Sequence, residues 1–151
     1  RSTVTRPLKR AGFSVPDDSY TYDRRATEPL ATSTRVQWSP TPGEAAIYVT
    51  LPYRVKGIEV VTSAAAPQGE RLPVTIRLDT GDTPATTHLI GLQVLGVDDK
   101  ELVHYRQIIT MTDGEVETFV PLAENEGPVR LTLVVTDLLT GTRTECYVTV
   151  A

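Results

Sequence analysis

The chain has 151 residues, of which 40% are hydrophobic and 23% are charged, a balance that excludes wholesale disorder. Its length allows one ordinary domain or two small ones. The net charge of −4, with acidic and basic residues interspersed, argues against a nucleic-acid partner, which would favour a concentrated basic face.

Residues 1–19 form the first predicted segment, an N-terminal arm or linker. Basic, Ser/Thr and Pro-Asp-Asp signals dominate it, and its hydrophobic periodicity is weak. The basic residues at its start lack interleaved aromatic residues, so we interpret them as solvated. Phe13 and Val15 could add a short strand within the arm.

Residues 20–52 form the second predicted segment, a small antiparallel β unit. Strands are predicted at 20–24, 34–38 and 46–52, with a turn at 40–43 that contains proline and glycine. A unit this small, with a modest set of apolar residues, is expected to need its neighbour for stability.

Residues 53–151 are predicted to form a seven-strand β-sandwich. Leu72, Val74, Ile76 and Leu78 alternate with polar residues, which indicates a strand with one buried face. Similar runs recur at regular spacing, and Asp113-Gly114 is typical of a hairpin turn. The predicted fold class is therefore all-β, an antiparallel immunoglobulin-like or fibronectin-like sandwich preceded by the small β unit.

The last predicted hairpin runs from 129 to 150. Leu131, Leu133 and Val135 share one parity before the turn, as do Cys146, Val148 and Val150 after it. Gly141 is available for a positive φ in the turn at 137–142. Cys146, the single cysteine, excludes an internal disulfide and is expected to be a small buried hydrophobe rather than a catalytic thiol.

Candidate catalytic and metal-binding residues are sparse. Glycoside hydrolysis generally needs two facing carboxylates, but the pairs present in sequence lie in predicted turns: Asp79 with Asp82, Asp98 with Asp99, and Glu124 with Glu126. Calcium could be held by Asp98, Asp99 and Glu101 or by Glu124, Asn125 and Glu126, and zinc would require His88, His104 and Cys146 to converge. We expect surface turns instead, and we predict no enzyme activity and no cofactor.

Five short motifs occur in order along the chain: Tyr22-Asp23-Arg24-Arg25, Pro42-Gly43-Glu44-Ala45, Leu51-Pro52-Tyr53-Arg54-Val55, Pro121 to Asn125, and Asp137-Leu138-Leu139-Thr140-Gly141. Taken in this order, they resemble motifs of the C-terminal tandem β-modules of bacterial glycoside-hydrolase-like exported proteins. The resemblance implies a C-terminal accessory module behind a larger catalytic or carbohydrate-handling region. It also implies an extracellular, cell-surface or periplasmic location, with the export signal outside this chain, and no insertion into a membrane.

The predicted interaction site is the junction between the two β units, with Trp38, Tyr48, Leu51, Tyr53 and Val55 as its residues. Aromatic side chains with polar tips often fill such seams. The expected partners are other domains of the parent chain or other subunits. One alternative is a carbohydrate-binding module, for which Trp38 and neighbouring tyrosines would form an exposed, coplanar platform for a polysaccharide. Another is a surface fibre or adhesin subunit that assembles through edge strands.

Overall fold

The computed structural model describes residues 10–25, 29–30, 34–39, 43–125 and 127–151. Within these ranges the chain forms β-strands and two short 3₁₀ turns, so the predicted all-β class is confirmed. The strands are β1 (Ala11–Ser14), β2 (Tyr20–Asp23), β3 (Arg35–Trp38), β4 (Tyr48–Leu51), β5 (Gly57–Thr62), β6 (Ala65–Ala66), β7 (Arg71–Asp79), β8 (His88–Leu95), β9 (Gln107–Met111), β10 (Glu115–Pro121), β11 (Val129–Asp137) and β12 (Arg143–Val150). The 3₁₀ turns are Val97–Asp99 and Val103–Tyr105.

Two sheets make the sandwich. One has the strand order β10-β7-β5, and the other has the order β6-β12-β11-β8-β9. Alternate residues of β7, β8, β11 and β12 point into the space between the sheets, as their period-two patterns predict. The fully buried side chains there include Leu72, Ile76, Ile90, Leu92, Leu131 and Leu133. Burying these side chains is the main source of stability for this part of the chain.

The five-stranded sheet is mixed rather than wholly antiparallel. The two-residue strand β6 pairs in parallel with β12, through Ala65 opposite Thr149 and Ala66 opposite Val150. The chain therefore leaves the three-stranded sheet after β5 and joins the other sheet within a few residues. This short strand lies along the edge of β12, where unpaired backbone groups would otherwise face solvent.

The last hairpin forms at the predicted position. Leu131 lies opposite Val148 and Leu133 lies opposite Cys146. Gly141 has a φ of 80°, which fits the predicted positive φ in the turn. The turn at Asp113 and Gly114 also forms, with φ angles of 59° and 80°. Beyond a bridge next to this turn, however, β9 pairs with β8 and β10 pairs with β7, so the turn connects the two sheets.

The small β unit consists of two two-stranded sheets, β1-β3 and β2-β4. Residues 11–14, which lie within the predicted arm, form strand β1 and place Phe13 opposite Val36. The rings of Phe13, Trp38 and Tyr48 contact one another, with centroids 5.6–5.9 Å apart and interplanar angles of 52–63°. Tilted aromatic pairs of this kind contribute about 0.5–1.5 kcal/mol each beyond the area they bury. The trio connects the two small sheets.

One hydrophobic core extends from the small unit into the sandwich. Tyr22 and Leu51 of the small unit belong to the same cluster of buried residues as Tyr53, Val55 and the sandwich side chains. The small unit therefore packs its apolar side chains against the sandwich, which is the neighbour that a unit of its size needs for stability. Residues 1–9 of the predicted arm lie outside the described residues. The predicted boundaries of the three segments stay predictions.

Candidate functional site

The five predicted junction residues fall into two groups. Leu51, Tyr53 and Val55 are buried in the shared core. The backbone N–H of Val55 donates to the hydroxyl of Tyr22, which is 1% exposed, at 3.0 Å. These contacts join the small unit to the sandwich within this chain, and contact with another domain through them stays a prediction.

Trp38 and Tyr48 form the second group and are half-buried in the aromatic trio with Phe13. They border a cleft of about 340 Å³ whose other lining residues include Asp23, Arg25 and Glu44. The three rings are tilted against one another and do not form a coplanar platform. Tyr22 and Tyr53 are buried in the core, so they do not add exposed rings to this group.

A buried polar network lies beside the junction. His88 and Asp137 are both fully buried, and the Nδ1 atom of His88 lies 3.0 Å from an oxygen of Asp137. Because an ionised carboxylate can only accept, Nδ1 donates this hydrogen bond. On the other side of the ring, Nε2 lies 2.9 Å from the hydroxyl of Tyr53. That hydroxyl accepts a hydrogen bond from the backbone N–H of Thr86 at 2.6 Å.

Asp137 also holds the turn that follows β11. Its carboxylate accepts hydrogen bonds from the Thr140 hydroxyl at 2.5 Å and from the Leu139 N–H at 3.2 Å. The Thr140 and Thr142 hydroxyls are 2.9 Å apart. Burial by itself would raise the pKa of Asp137, but the hydrogen bonds from His88 and Thr140 outweigh it, so the pKa is lower than its ordinary value.

The order Tyr53, His88 and Asp137 resembles the hydrogen-bonded relay of a catalytic site, but its position does not suit catalysis. Tyr53 is 2% exposed and the other two residues are 0% exposed, so no substrate in solvent reaches the relay. Among the described residues, every buried side-chain nitrogen and oxygen has a hydrogen-bond partner. A satisfied network of this kind rigidifies a core and specifies one arrangement of its strands.

The sequence analysis did not identify this network, although the sequence indicates that two of its residues point inwards. His88 is in phase with Ile90, and Asp137 shares the parity of Leu133 and Val135. Both residues were therefore at inward positions of their strands. The pairing itself joins residues 49 positions apart, which no local pattern indicates.

The other candidate chemical residues are dispersed. Among the residues that the structure describes, no group of three or more His, Cys, Asp or Glu side chains could hold a metal ion. His88 is in the core, whereas His104 is exposed on the second 3₁₀ turn. Cys146 is half-buried, and its burial raises the pKa of the thiol, which disfavours a reactive thiolate. Glu126 lies outside the described residues.

A glutamine at one edge of the five-stranded sheet bonds to the other sheet. Gln107, at the start of edge strand β9, donates a hydrogen bond to the carbonyl of Phe119 and accepts one from the Thr118 hydroxyl, both at 2.8 Å. Both partners belong to β10 in the other sheet. These bonds tie the start of the β9 edge to the other sheet.

The outer face of the five-stranded sheet carries exposed apolar side chains. Ile108 on β9 is 68% exposed and Leu89 on β8 is 41% exposed. Leu138 folds over Gly91, where an added Cβ would lie 3.3 Å from its side chain. A groove of about 320 Å³ runs between Leu138 and Ile108, with Arg106 among its lining residues. We call this region the outer-face groove.

No family model matches the chain, and no curated protein matches it. Among solved structures, a superoxide reductase (neelaredoxin) from Ignicoccus hospitalis is 11% identical over 64% of this chain and 82% of that chain, with a TM-score of 0.46. The sporulation control protein Spo0M from Bacillus subtilis is 16% identical over 64% of this chain and 49% of that chain, with a TM-score of 0.40.

A calcium-binding mutant of β-glucuronidase 2 from Bacteroides uniformis is 12% identical over 91% of this chain and 26% of that chain, with a TM-score of 0.35. All three TM-scores are below 0.5, a range in which a common fold is not established. Membership in the glycoside-hydrolase-associated family thus stays a prediction.

Proposed function

We propose that this chain is a non-catalytic accessory module of a larger exported, glycoside-hydrolase-like protein, and that it docks a neighbouring domain or subunit. The observation that carries the proposal is the sealed Tyr53, His88 and Asp137 network. His88 and Asp137 are side chains of the kind that often act as acid and base in an active site. Here they link strands β8 and β11 to Tyr53 at the junction. A rigid core with apolar side chains on its surface suits a docking role.

The outer-face groove is the surface that this proposal uses. Solvated sheet faces usually alternate polar side chains outwards, whereas Ile108 and Leu89 present apolar surface there. The Glu101 carboxylate pairs with Arg106 at 2.6 Å beside the groove and so provides a polar rim. An apolar centre with a polar rim is the usual anatomy of a protein–protein interface.

Two measurements test the proposal. The first compares hydrogen exchange of β8 and β9 in the isolated chain and in the longer polypeptide that the proposal requires. We expect slower exchange in the longer polypeptide, and equal exchange rates in the two would refute docking at this face. The second assays the isolated chain against a panel of chromogenic glycosides, where any hydrolysis that survives purification would refute the non-catalytic role.

Paired variants sharpen the first measurement. Ile108→Asp places a charge in the groove, and Val61→Asp places the same charge at an exposed apolar residue of β5 in the other sheet. We expect the first variant to reduce the protection of β8 and β9 from hydrogen exchange in the longer polypeptide more than the second variant does. Equal effects would indicate a general response to charge rather than loss of an apolar contact.

The two alternative functions have less support. A polysaccharide platform suits coplanar exposed rings, and the rings of Phe13, Trp38 and Tyr48 are tilted by 52–63°. Fibre assembly through edges suits open strands, and side-chain hydrogen bonds from Gln107 tie the start of the β9 edge to β10. Light scattering of the isolated chain, with and without soluble polysaccharides, distinguishes all three: a monomer that ignores sugars supports the accessory role.

A further inference from the structure

The outer edge of β12 is covered over only part of its length. Strand β6 pairs with β12 at Thr149 and Val150. The backbone N–H of Thr149 donates to the carbonyl of Ala64 at 2.9 Å, so it points away from β11. Residues two apart in a strand have the same orientation, so the backbone N–H and C=O groups of Glu145 and Tyr147 point to that side too. Within the described part of the chain, no strand pairs with them there.

The inward side chains of β12 differ in burial between the covered and the open part of this edge. Val148 and Val150, at the end that β6 covers, are fully buried. Cys146 has the same parity but lies beyond the reach of β6, and it is only half-buried. The addition of a strand at this edge thus accompanies complete burial of the side chains beneath it.

Strand β5 contacts β12 across the gap between the two sheets. It is the edge strand of its own sheet and pairs only with β7. Its inward residues Ile58 and Val60 pack against the core but are only partly buried. Three apolar side chains, those of Ile58, Val60 and Cys146, are therefore incompletely covered where these two edges meet. We call this region the β5–β12 seam.

We propose that the β5–β12 seam accepts an extended segment of another polypeptide, which adds to the edge of β12 as a strand in line with β6. Strand addition draws its affinity from main-chain hydrogen bonds and its specificity from alternate side chains. Glu145 and Tyr147 supply the main-chain groups. An apolar residue at every second position of the added segment would cover the partly buried side chains of the seam, and their removal from water favours binding.

The donor is a separate polypeptide, because every described strand of this chain already belongs to a sheet. Strand β6 limits the open edge at one end, and the start of β12 at Arg143 limits it at the other, so a segment of about five residues fits. This edge is opposite β9 in the five-stranded sheet. The site is therefore separate from the outer-face groove, and its test does not depend on docking there.

The test is an NMR titration of the chain with a model strand, a short peptide of alternating threonine and valine with a lysine at each end. We expect saturable shifts of the amide resonances of Glu145 and Tyr147, and slower alkylation of Cys146 by iodoacetamide. A control peptide with N-methyl groups on its central residues cannot pair through either edge and should change neither readout. Equal binding of the two peptides, or no saturable shift with the first, would overturn the proposal.

Two variants at one position separate the main chain from the side chain. Glu145→Pro removes a backbone N–H that points out of the sheet, where proline is tolerated in an edge strand. Glu145→Ala removes the same carboxylate and keeps the N–H. We expect Glu145→Pro to weaken peptide binding about tenfold or more, because a hydrogen bond is lost and the ring obstructs the edge. Glu145→Ala should bind like the wild type, and equal weakening by both variants would contradict strand addition. The comparison of the two peptides uses the unaltered chain and decides the question if the proline variant does not fold.

Light scattering of the chain without peptide identifies the donor. A monomer that binds the peptide supports a separate polypeptide. Self-association that Glu145→Pro abolishes would mean that a second copy supplies the strand, and the assignment to another polypeptide would be wrong.

Discussion

Replacing Asp137 by alanine is the most direct test of the role assigned to the buried network. The substitution removes the acceptor of three hydrogen bonds, which come from His88 Nδ1, the Leu139 N–H and the Thr140 hydroxyl. The three donors differ in what replaces the lost partner. The Thr140 hydroxyl keeps Thr142 at 2.9 Å, and the half-buried Leu139 can gain water. The fully buried His88 ring has no such replacement on that side.

The expected cost follows from these differences. A buried donor without a partner costs about 1–3 kcal/mol, and each hydrogen bond to an ionised carboxylate contributes about 1.5–3 kcal/mol. We therefore expect Asp137→Ala to lower the free energy of unfolding by about 3–5 kcal/mol. For a domain of this size, such a loss corresponds to a fall of roughly 6–20 °C in Tm.

Urea unfolding at neutral pH, followed by circular dichroism, measures this loss. The matched control is Asp79→Ala. The Asp79 carboxylate likewise accepts from the backbone N–H two residues later, Gly81, at 3.0 Å, but it is exposed. We expect the control to cost less than about 1 kcal/mol. If the two variants lose the same stability, the local turn accounts for the effect and the network reasoning is refuted.

Three further predictions follow from individual contacts. Because the pKa of Asp137 is lowered in the folded chain, its contribution is present at neutral pH and is lost as the pH falls below about 4; acid titration of stability should be flatter for Asp137→Asn than for the wild type. Leu133→Ala, at a fully buried position, should cost about 2–5 kcal/mol in chemical unfolding, whereas Leu89→Ala at the exposed outer face should cost far less. Tyr22→Phe leaves the buried Val55 N–H without its acceptor, so calorimetry should show a loss of about 1–3 kcal/mol.

The strand pattern of the sandwich was readable because period-two alternation is a local property. The last hairpin illustrates this: the shared parity of Leu131 and Leu133 before the turn, and of Cys146 and Val148 after it, reappears as paired positions in the sheet. The turn at Asp113 and Gly114 shows where local information ends. Its dihedral angles follow from residue type, but whether the flanking strands pair with each other depends on which other strands compete for their edges.

Tertiary structure alone separated the candidate residues that sequence grouped together. Trp38 and Tyr53 are both aromatic residues near the predicted junction, yet one packs in the aromatic trio and the other in the shared core. Conversely, the fold brings His88 next to Asp137, which lies 49 positions away in the chain.

Within the described part of the chain, no helix has the length and hydropathy that crossing a bilayer requires.

The amino-acid sequence by itself determined the all-β class, the inward faces of the strand from Leu72 to Leu78 and of the last hairpin, and the position of the final turn. Those features depend on backbone preference and on the alternation of apolar residues, which act over neighbouring positions. Only the folded chain decided that His88 meets Asp137, that β6 joins the second sheet, and that the turn at Asp113 and Gly114 connects the two sheets. Each of these depends on which distant strands become neighbours, and the whole core sets that arrangement.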